Sequence, residues 1–383
     1  MHILFVDAFD RANFSTRWRT YCVGNYLTAS GHQISYWHLS ICPKEVPVVH
    51  HLPPILQRLL VRLLMPIRAR RVPALAARAD RVIVLNAYSS PWLARTLAQR
   101  PNGFVYDTVD FADNEDFIRL HCPPGWRGAL MRWRMRRNYR NFLSYVDAAR
   151  LVCTNNFLCV EQVRARGKDA FLFIDPIPSS YLQPLQQKPL TEPVRIGWCG
   201  HPATCHYMAE YLDVFRSFTA SGRVAIDLME GEPTLAARIG ARIIPWTEAN
   251  FKHHVPRWDI GIAPLPSYVP FTGKFPGKIL QYMAAGIPSI VTPKGMATHF
   301  IKDGETGLYA HTPADWQRCI TYLLDHPQER ARMGAHARAD FEHRFSLEAQ
   351  MPTYLNTILG VNPQPPSPQN GFHTLVNFSS MHP

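Results

Sequence analysis

Ten short runs of apolar, largely β-branched or aromatic residues recur along the chain, each separated from the next by a stretch long enough for a crossover helix. No other feature limits the fold as much. Strands alternating with helices pair in parallel, because each helix carries the chain back to the end of the sheet where the previous strand began. The first-half runs fall at 2–6, 34–37, 81–85, 103–107 and 149–154, and the second-half runs at 194–200, 224–229, 241–246, 260–265 and 288–293. A chain of 383 residues exceeds what one core organises, so two α/β domains are expected. The stretch 175–193, rich in Pro and Gln, reads as the linker between domains at 1–180 and 190–345.

Helices are expected at 313–325 and 327–345, and a further amphipathic one at 346–359 that starts at Ser346, a good N-cap. The segment 361–383 is Pro-rich and aperiodic and is expected to be a disordered tail. The opening run, "MHILFVDAFD", has no basic leader and places acids directly after its apolar residues, so it reads as a first strand and not a signal peptide. No run of 18 uncharged apolar residues exists, which argues against a spanning helix. The eight cysteines form no CxxC pair and no zinc-like spacing; buried, reduced thiols in a cytoplasmic protein are expected.

Charge is unevenly spread. Residues 1–150 hold 21 Lys and Arg against 10 Asp and Glu, whereas residues 151–383 hold 20 against 19. The first half is therefore expected to face something anionic: a membrane, a nucleic acid or a phosphorylated acceptor. No nucleic-acid-binding motif accompanies the charge, and no nucleic-acid partner is expected.

The stretch "GKFPGKILQYMAAGIPSIV" (273–291) sets Lys274 and Lys278 four apart at a helix entrance, where the backbone dipole disfavours positive charge. An anion offsets that conflict. Free amides at the helix start cradle phosphate, the glycines allow close approach, and two ammonium groups would neutralise a leaving diphosphate. A solvated basic loop is the other reading of the same residues.

The longer stretch "RWDIGIAPLPSYVPFTGKFPGKILQYMAAGIPSIVTPKGMATHFIKDGETGLYA" resembles the donor-binding half of the family 4 glycosyltransferases, and the likeness continues through the helical ending that follows. "IGWCGHPATCHYM" (196–208) and "ARIIPWTEANF" (241–251) complete the series in order. The resemblance implies a GT-B fold: two Rossmann-like, doubly wound domains facing across a cleft, with the helix 346–359 crossing back to the first. It implies transfer of a sugar from a nucleotide-sugar donor to a glycan or lipid-linked acceptor, with retention, in surface-glycan or polysaccharide biosynthesis. It also implies that the chemistry needs no metal or other cofactor. Donor contacts fall on Gly200, Thr204, Trp246, Thr247, Gly273, Phe275, Gly277 and Gln281, and Lys274 and Lys278 take the catalytic electrostatic role. For Trp246, stacking on a nucleobase and plain core packing are both open.

The chain departs from the family pattern. Gly273 and Gln281 occupy positions where the family carries two glutamates, and the basic pair usual after the first strand of this domain is missing from "GHPATCHYM". A non-catalytic nucleotide-sugar binder, or a partner of another transferase, is the alternative those departures raise.

In the first half, "NFSTRWRTYCVGNYLTASGHQISYW" (13–37) is similar to the family's first loop and helix, and "FVYDTVDFAD" (104–113) resembles the strand and loop where the family places acceptor-side residues. Asp110 is placed as a group that orients or deprotonates the acceptor hydroxyl. Arg17, Arg19 and Asp107 are placed on the acceptor or phosphate side, with surface arginines and a turn-capping Asp107 as the alternatives. The crowded acids at 113–116 read as a solvated loop, not a metal site. Two basic amphipathic stretches, 55–65 (with Arg58 and Arg62) and 126–142 (with six arginines), fit peripheral contact with an anionic membrane. The plain alternative is that each buries its apolar side on the first domain.

Overall fold

In the computed structural model, residues 1–9, 13, 15–41, 49, 51–88, 90–109, 122, 124–185, 193–267 and 275–361 are described. Asp110, Gly273, Lys274, the acids at 113–116, residues 186–192 of the linker and the tail from 362 on lie outside the described residues.

The chain divides into two compact units, one formed by residues 1–176 with the segment from Gln350 on, the other by Ile177–Ala349. Each is built on one six-stranded sheet whose pairs are all parallel. In the first the strands are β1 (His2–Asp7), β2 (Gln33–His38), β3 (Arg81–Leu85), β4 (Val105–Thr108), β5 (Leu151–Thr154) and β6 (Ala170–Leu172), in the order β2-β1-β3-β4-β5-β6. In the second they are β7 (Val194–Cys199), β8 (Val224–Met229), β9 (Arg242–Ile244), β10 (Ile260–Ala263), β11 (Ser289–Val291) and β12 (Gly307–Tyr309), in the order β12-β11-β10-β7-β8-β9.

The central strands are buried on both faces, as helices above and below a parallel sheet require. Leu4, Val6, Val82, Val84, Tyr106 and Val152 pack in one core cluster, and Ile196, Trp198, Ile226, Leu228, Ile262 and Ile290 in its counterpart. Two glycines let helical and loop side chains reach the second sheet. A Cβ on Gly197 would lie 1.8 Å from the Trp258 ring, and one on Gly261 would lie 2.3 Å from the Tyr282 ring.

All ten runs read from the sequence are strands. The two the sequence reading lacks, β6 and β12, are edge strands of three residues, too short to show a period. Helix Pro313–Asp325 begins at a capping box: Thr312 accepts from the Asp315 amide while the Asp315 side chain accepts from the Thr312 amide. Ser346 caps the last helix, its Oγ accepting from the Ala349 amide at 3.1 Å. That helix is α-helical to Tyr354 and ends in a π turn, Leu355–Leu359, closed by Gly360 at φ +70°. Gln350 accepts from the Ile174 amide at 2.9 Å and the Tyr354 ring lies 4.6 Å from that of Phe173, which fastens this segment to the first unit.

Candidate functional site

In the second sheet the chain runs β7, β8, β9 toward one edge, then returns to lay β10 beside β7 and continues through β11 and β12 to the other edge. The loops leaving β7 and β10 therefore part in opposite directions at the carboxyl ends of the strands. Such a switch point opens a crevice in a doubly wound sheet. A cavity of about 200 Å³ occupies it, lined by Gly200, Thr204, Phe275, Gly277, Lys278 and Lys294 among others.

Lys278 dominates the electrostatics. It stands in the first turn of the helix Gly277–Ala284, with its Nζ 4.4 Å from the Trp198 ring centroid. Among the described residues no carboxylate pairs with it. Burial pushes its pKa down from 10.5 to about 8, with the nearby Cys199 and Cys205 thiols acting weakly the other way. A cation over an aromatic face is attracted by the ring quadrupole, but that attraction does not replace lost hydration. Gly200 leaves the ammonium its place, because a Cβ there would sit 2.7 Å from the Trp198 ring and 3.0 Å from Lys278 Nζ.

The same helix start contributes amides. The first N–H groups of a helix lack intrahelical acceptors. Ile279 N donates to the Pro276 carbonyl at 2.9 Å, and among the described residues no acceptor faces the Gly277 and Lys278 amides. Across the cavity, Lys294 Nζ donates to the carbonyls of Pro266 at 3.0 Å and Ser267 at 2.9 Å. Glu210 accepts from the Ser267 amide at 2.9 Å, and Thr292 Oγ1 accepts from the Leu265 amide at 3.0 Å. These bonds fix the path of the loop after β10. Lys294 escaped the sequence reading, although a lysine directly after a strand, in "VTPKG", was the visible signal.

The cavity thus gathers Gly200, Thr204, Phe275, Gly277 and Lys278. Three other expected donor contacts are placed elsewhere. Gln281 is buried, and its Oε1 accepts from Cys199 Sγ at 3.2 Å. Thr247 spends its hydroxyl on the N-cap of the helix Glu248–His254, accepting from Asn250 N at 3.0 Å. Trp246 is 37% exposed beyond β9, an edge strand, and neither it nor Thr247 lines the cavity. A larger cavity of about 580 Å³, lined by Asp259, Pro288 and Arg330, lies at the other end of the strands, since Asp259 and Pro288 immediately precede β10 and β11.

The first unit corrects two expectations. Arg19 is fully buried, not poised for a ligand. Its Nη2 and Nε donate to Asp107 Oδ1 at 2.6 and 2.9 Å, and its Nη1 to the Phe173 carbonyl at 2.7 Å and Asp175 Oδ1 at 3.2 Å. The two carboxylates hold the guanidinium charged, while burial pushes the Asp107 carboxyl up against the pull of Arg19. The pair is an internal tie between the π turn Thr16–Cys22 and β4. Arg17 is only half-buried on the same turn.

This sheet has its own switch point between β1 and β3, where Asp7 and Asn86 sit. Asp7 accepts from Thr20 Oγ1 at 2.7 Å and the Phe9 amide at 2.9 Å. Burial raises its pKa to about 6 against those hydrogen bonds. Asn86 adopts φ +49° and accepts from the Val109 amide at 3.0 Å. Asp7, visible in the sequence as the acid ending the first apolar run, organises this loop cluster.

Residues 239–356 match the family described as glycosyl transferase-like. The fold is that of the GT-B glycosyltransferases. HepE from Anabaena, solved with UDP-glucose, is similar at a TM-score of 0.65 and 13% identity, over 94% of this chain and all of that one. Sucrose-phosphate synthase from Thermosynechococcus elongatus is similar at 0.65 and 13%, over 94% and 99%. The lipopolysaccharide outer core galactosyltransferase WaaB is similar at 0.55 and 14%, over 94% and 99%. No curated protein matches by sequence.

Proposed function

We propose that the protein transfers a sugar from a nucleotide-sugar donor, bound on the second unit, to a glycan or lipid-linked acceptor engaged by the basic first unit. The reading serves surface-glycan or polysaccharide biosynthesis at the cytoplasmic face of an anionic membrane. The observation that carries it is Lys278, half-buried in the first turn of its helix at the switch-point cavity, with no carboxylate paired to it among the described residues.

As the bond from the anomeric carbon to the phosphate oxygen breaks, negative charge grows on the leaving diphosphate. Lys278 and the amides of Gly277 and Lys278 stabilise that charge where it develops. Lys274 joins them in this reading, and Asp110 takes or orients the proton of the attacking acceptor hydroxyl. Transfer proceeds with retention and without a metal ion, the lysines doing the neutralising. Support for the donor class comes from HepE, whose structures hold UDP and UDP-glucose.

Incubation with a panel of nucleotide-sugars and acceptor extracts tests the reading, by release of nucleoside diphosphate and sugar incorporation in the presence of EDTA. Activity lost in EDTA and restored by Mn²⁺ removes the metal-free step.

A second reading, a nucleotide-sugar binder without turnover, is favoured by Gln281. The position is not a carboxylate, and its carbonyl oxygen is turned to Cys199. Donor binding with neither transfer nor slow donor hydrolysis would establish it.

A further inference from the structure

We propose that the outward face of the helix Pro54–Ala69 and the first half of the helix Trp126–Ala148 form a surface that seats the first unit in an anionic lipid bilayer. The alternative to membrane contact is that both segments bury their apolar sides. They do so only in part. In the helix Pro54–Ala69, Ala69 is buried, yet Ile55, Leu59, Leu63 and Ile67 are 78, 52, 60 and 57% exposed. Residues four apart stack along one helix face, so these four form a continuous stripe open to solvent, with Leu56 at 46% beside it. Isolated apolar residues on a surface are ordinary; a stripe along four turns is not.

The helix Trp126–Ala148 repeats the pattern. Its second half packs through Phe142, Tyr145 and Val146, while Trp126, Leu130 and Trp133 are 73, 57 and 54% exposed at helical spacing. The guanidinium of Arg127 lies 5.3 Å from the Trp126 ring centroid, and that of Arg137 lies 5.6 Å from that of Trp133. Exposed indoles with cations against them suit the headgroup layer, where a ring finds both an apolar and a wet side.

Charge selects the occupant. Residues 46–79 contain six arginines and residues 117–146 seven, and neither stretch contains an Asp or Glu. A second copy of the chain would bring the same positive charge against itself. A bilayer rich in phosphate headgroups answers both the stripe and the charge. No described helix is long and apolar enough to cross the membrane, so the contact lies in the interface.

The proposal does not depend on sugar transfer, and its test separates the two. The full chain is sedimented with vesicles of phosphatidylcholine alone or of phosphatidylcholine with phosphatidylglycerol, at low and high salt. The expected result is binding to the anionic vesicles that weakens with salt, and little to the neutral ones. Leu59→Glu with Leu63→Glu, both on the exposed stripe, lowers vesicle affinity more than about tenfold. Arg127→Gln and Arg137→Gln lower it roughly fivefold each. Circular dichroism and nucleotide-sugar affinity in solution stay at wild-type values in these variants. Equal sedimentation of wild type and Leu59→Glu/Leu63→Glu overturns the proposal. So does a wild-type dimer in light scattering that the same substitutions dissociate, because a second copy then covers the face.

Discussion

The Lys278 ammonium lies 4.4 Å from the centre of the Trp198 ring, at the carboxyl end of β7. The helix start raises local positive potential, burial strips hydration, and the ring restores only part of the loss. A diphosphate would resolve all three.

Nucleotide-sugar affinity should depend on pH with a sign fixed by Lys278. Its pKa in the folded protein is about 8, and an anion binds the protonated form. Affinity is therefore flat below pH 8 and falls as pH rises through that value, by up to about tenfold per pH unit. Calorimetric titration between pH 6.5 and 9.5 reads this directly, and the slope disappears in Lys278→Met.

The same shift affects stability in the opposite direction. The folded pKa, about 8, lies below the ordinary 10.5, so between those values the unfolded chain holds more protons. Wild-type stability should rise across that window relative to Lys278→Met. Thermal unfolding of both proteins between pH 7.5 and 10.5 checks it; parallel curves would mean that the ammonium is not desolvated.

Gly200→Ala tests the fit of the pair. The added methyl would come within 2.7 Å of the Trp198 ring and 3.0 Å of Lys278 Nζ, so one or both must move. Overpacking of this kind costs roughly 1–3 kcal/mol. The variant is expected to fold with a modestly lower midpoint and to bind donor at least about tenfold more weakly. Urea unfolding and donor titration on one preparation separate the two effects.

Arg19→Ala should act on stability alone. Removing the guanidinium leaves Asp107 and Asp175 buried without their common partner, and breaking a buried pair costs about 3–5 kcal/mol. Urea unfolding should show that loss, while the donor affinity of the folded fraction is unchanged. Donor affinity falling in step with stability would instead give Arg19 a part in ligand binding.

The contrast between Arg19 and Lys278 shows what the sequence could reveal. Strands such as "VRIGWCG" and "RVIVL" announce themselves because burial on both faces demands unbroken apolar runs. Lys278 was legible because it conflicts with its own helix, a local fact. Arg19 was not, because "STRWR" carries no sign that Asp107 and Asp175, 88 and 156 residues away, converge on it. The bond that Gln281 accepts was hidden for the same reason: its partner, Cys199, ends β7, 82 residues away. Lys294 lay in plain view after β11, but its bonds to the Pro266 and Ser267 carbonyls depend on how two loops meet. Local conflicts and periods can be read from a chain; which distant groups neutralise each other requires the fold.

The most direct test is calorimetric titration of wild type, Lys278→Ala and Lys278→Arg with UDP-, GDP-, ADP- and CMP-linked sugars at pH 7. The account predicts that wild type binds at least one of them and that Lys278→Ala weakens it by about 10- to 100-fold, the worth of a charge-assisted contact. Lys278→Arg should recover part of the loss. Equal affinity in wild type and Lys278→Ala for every donor that binds would contradict it.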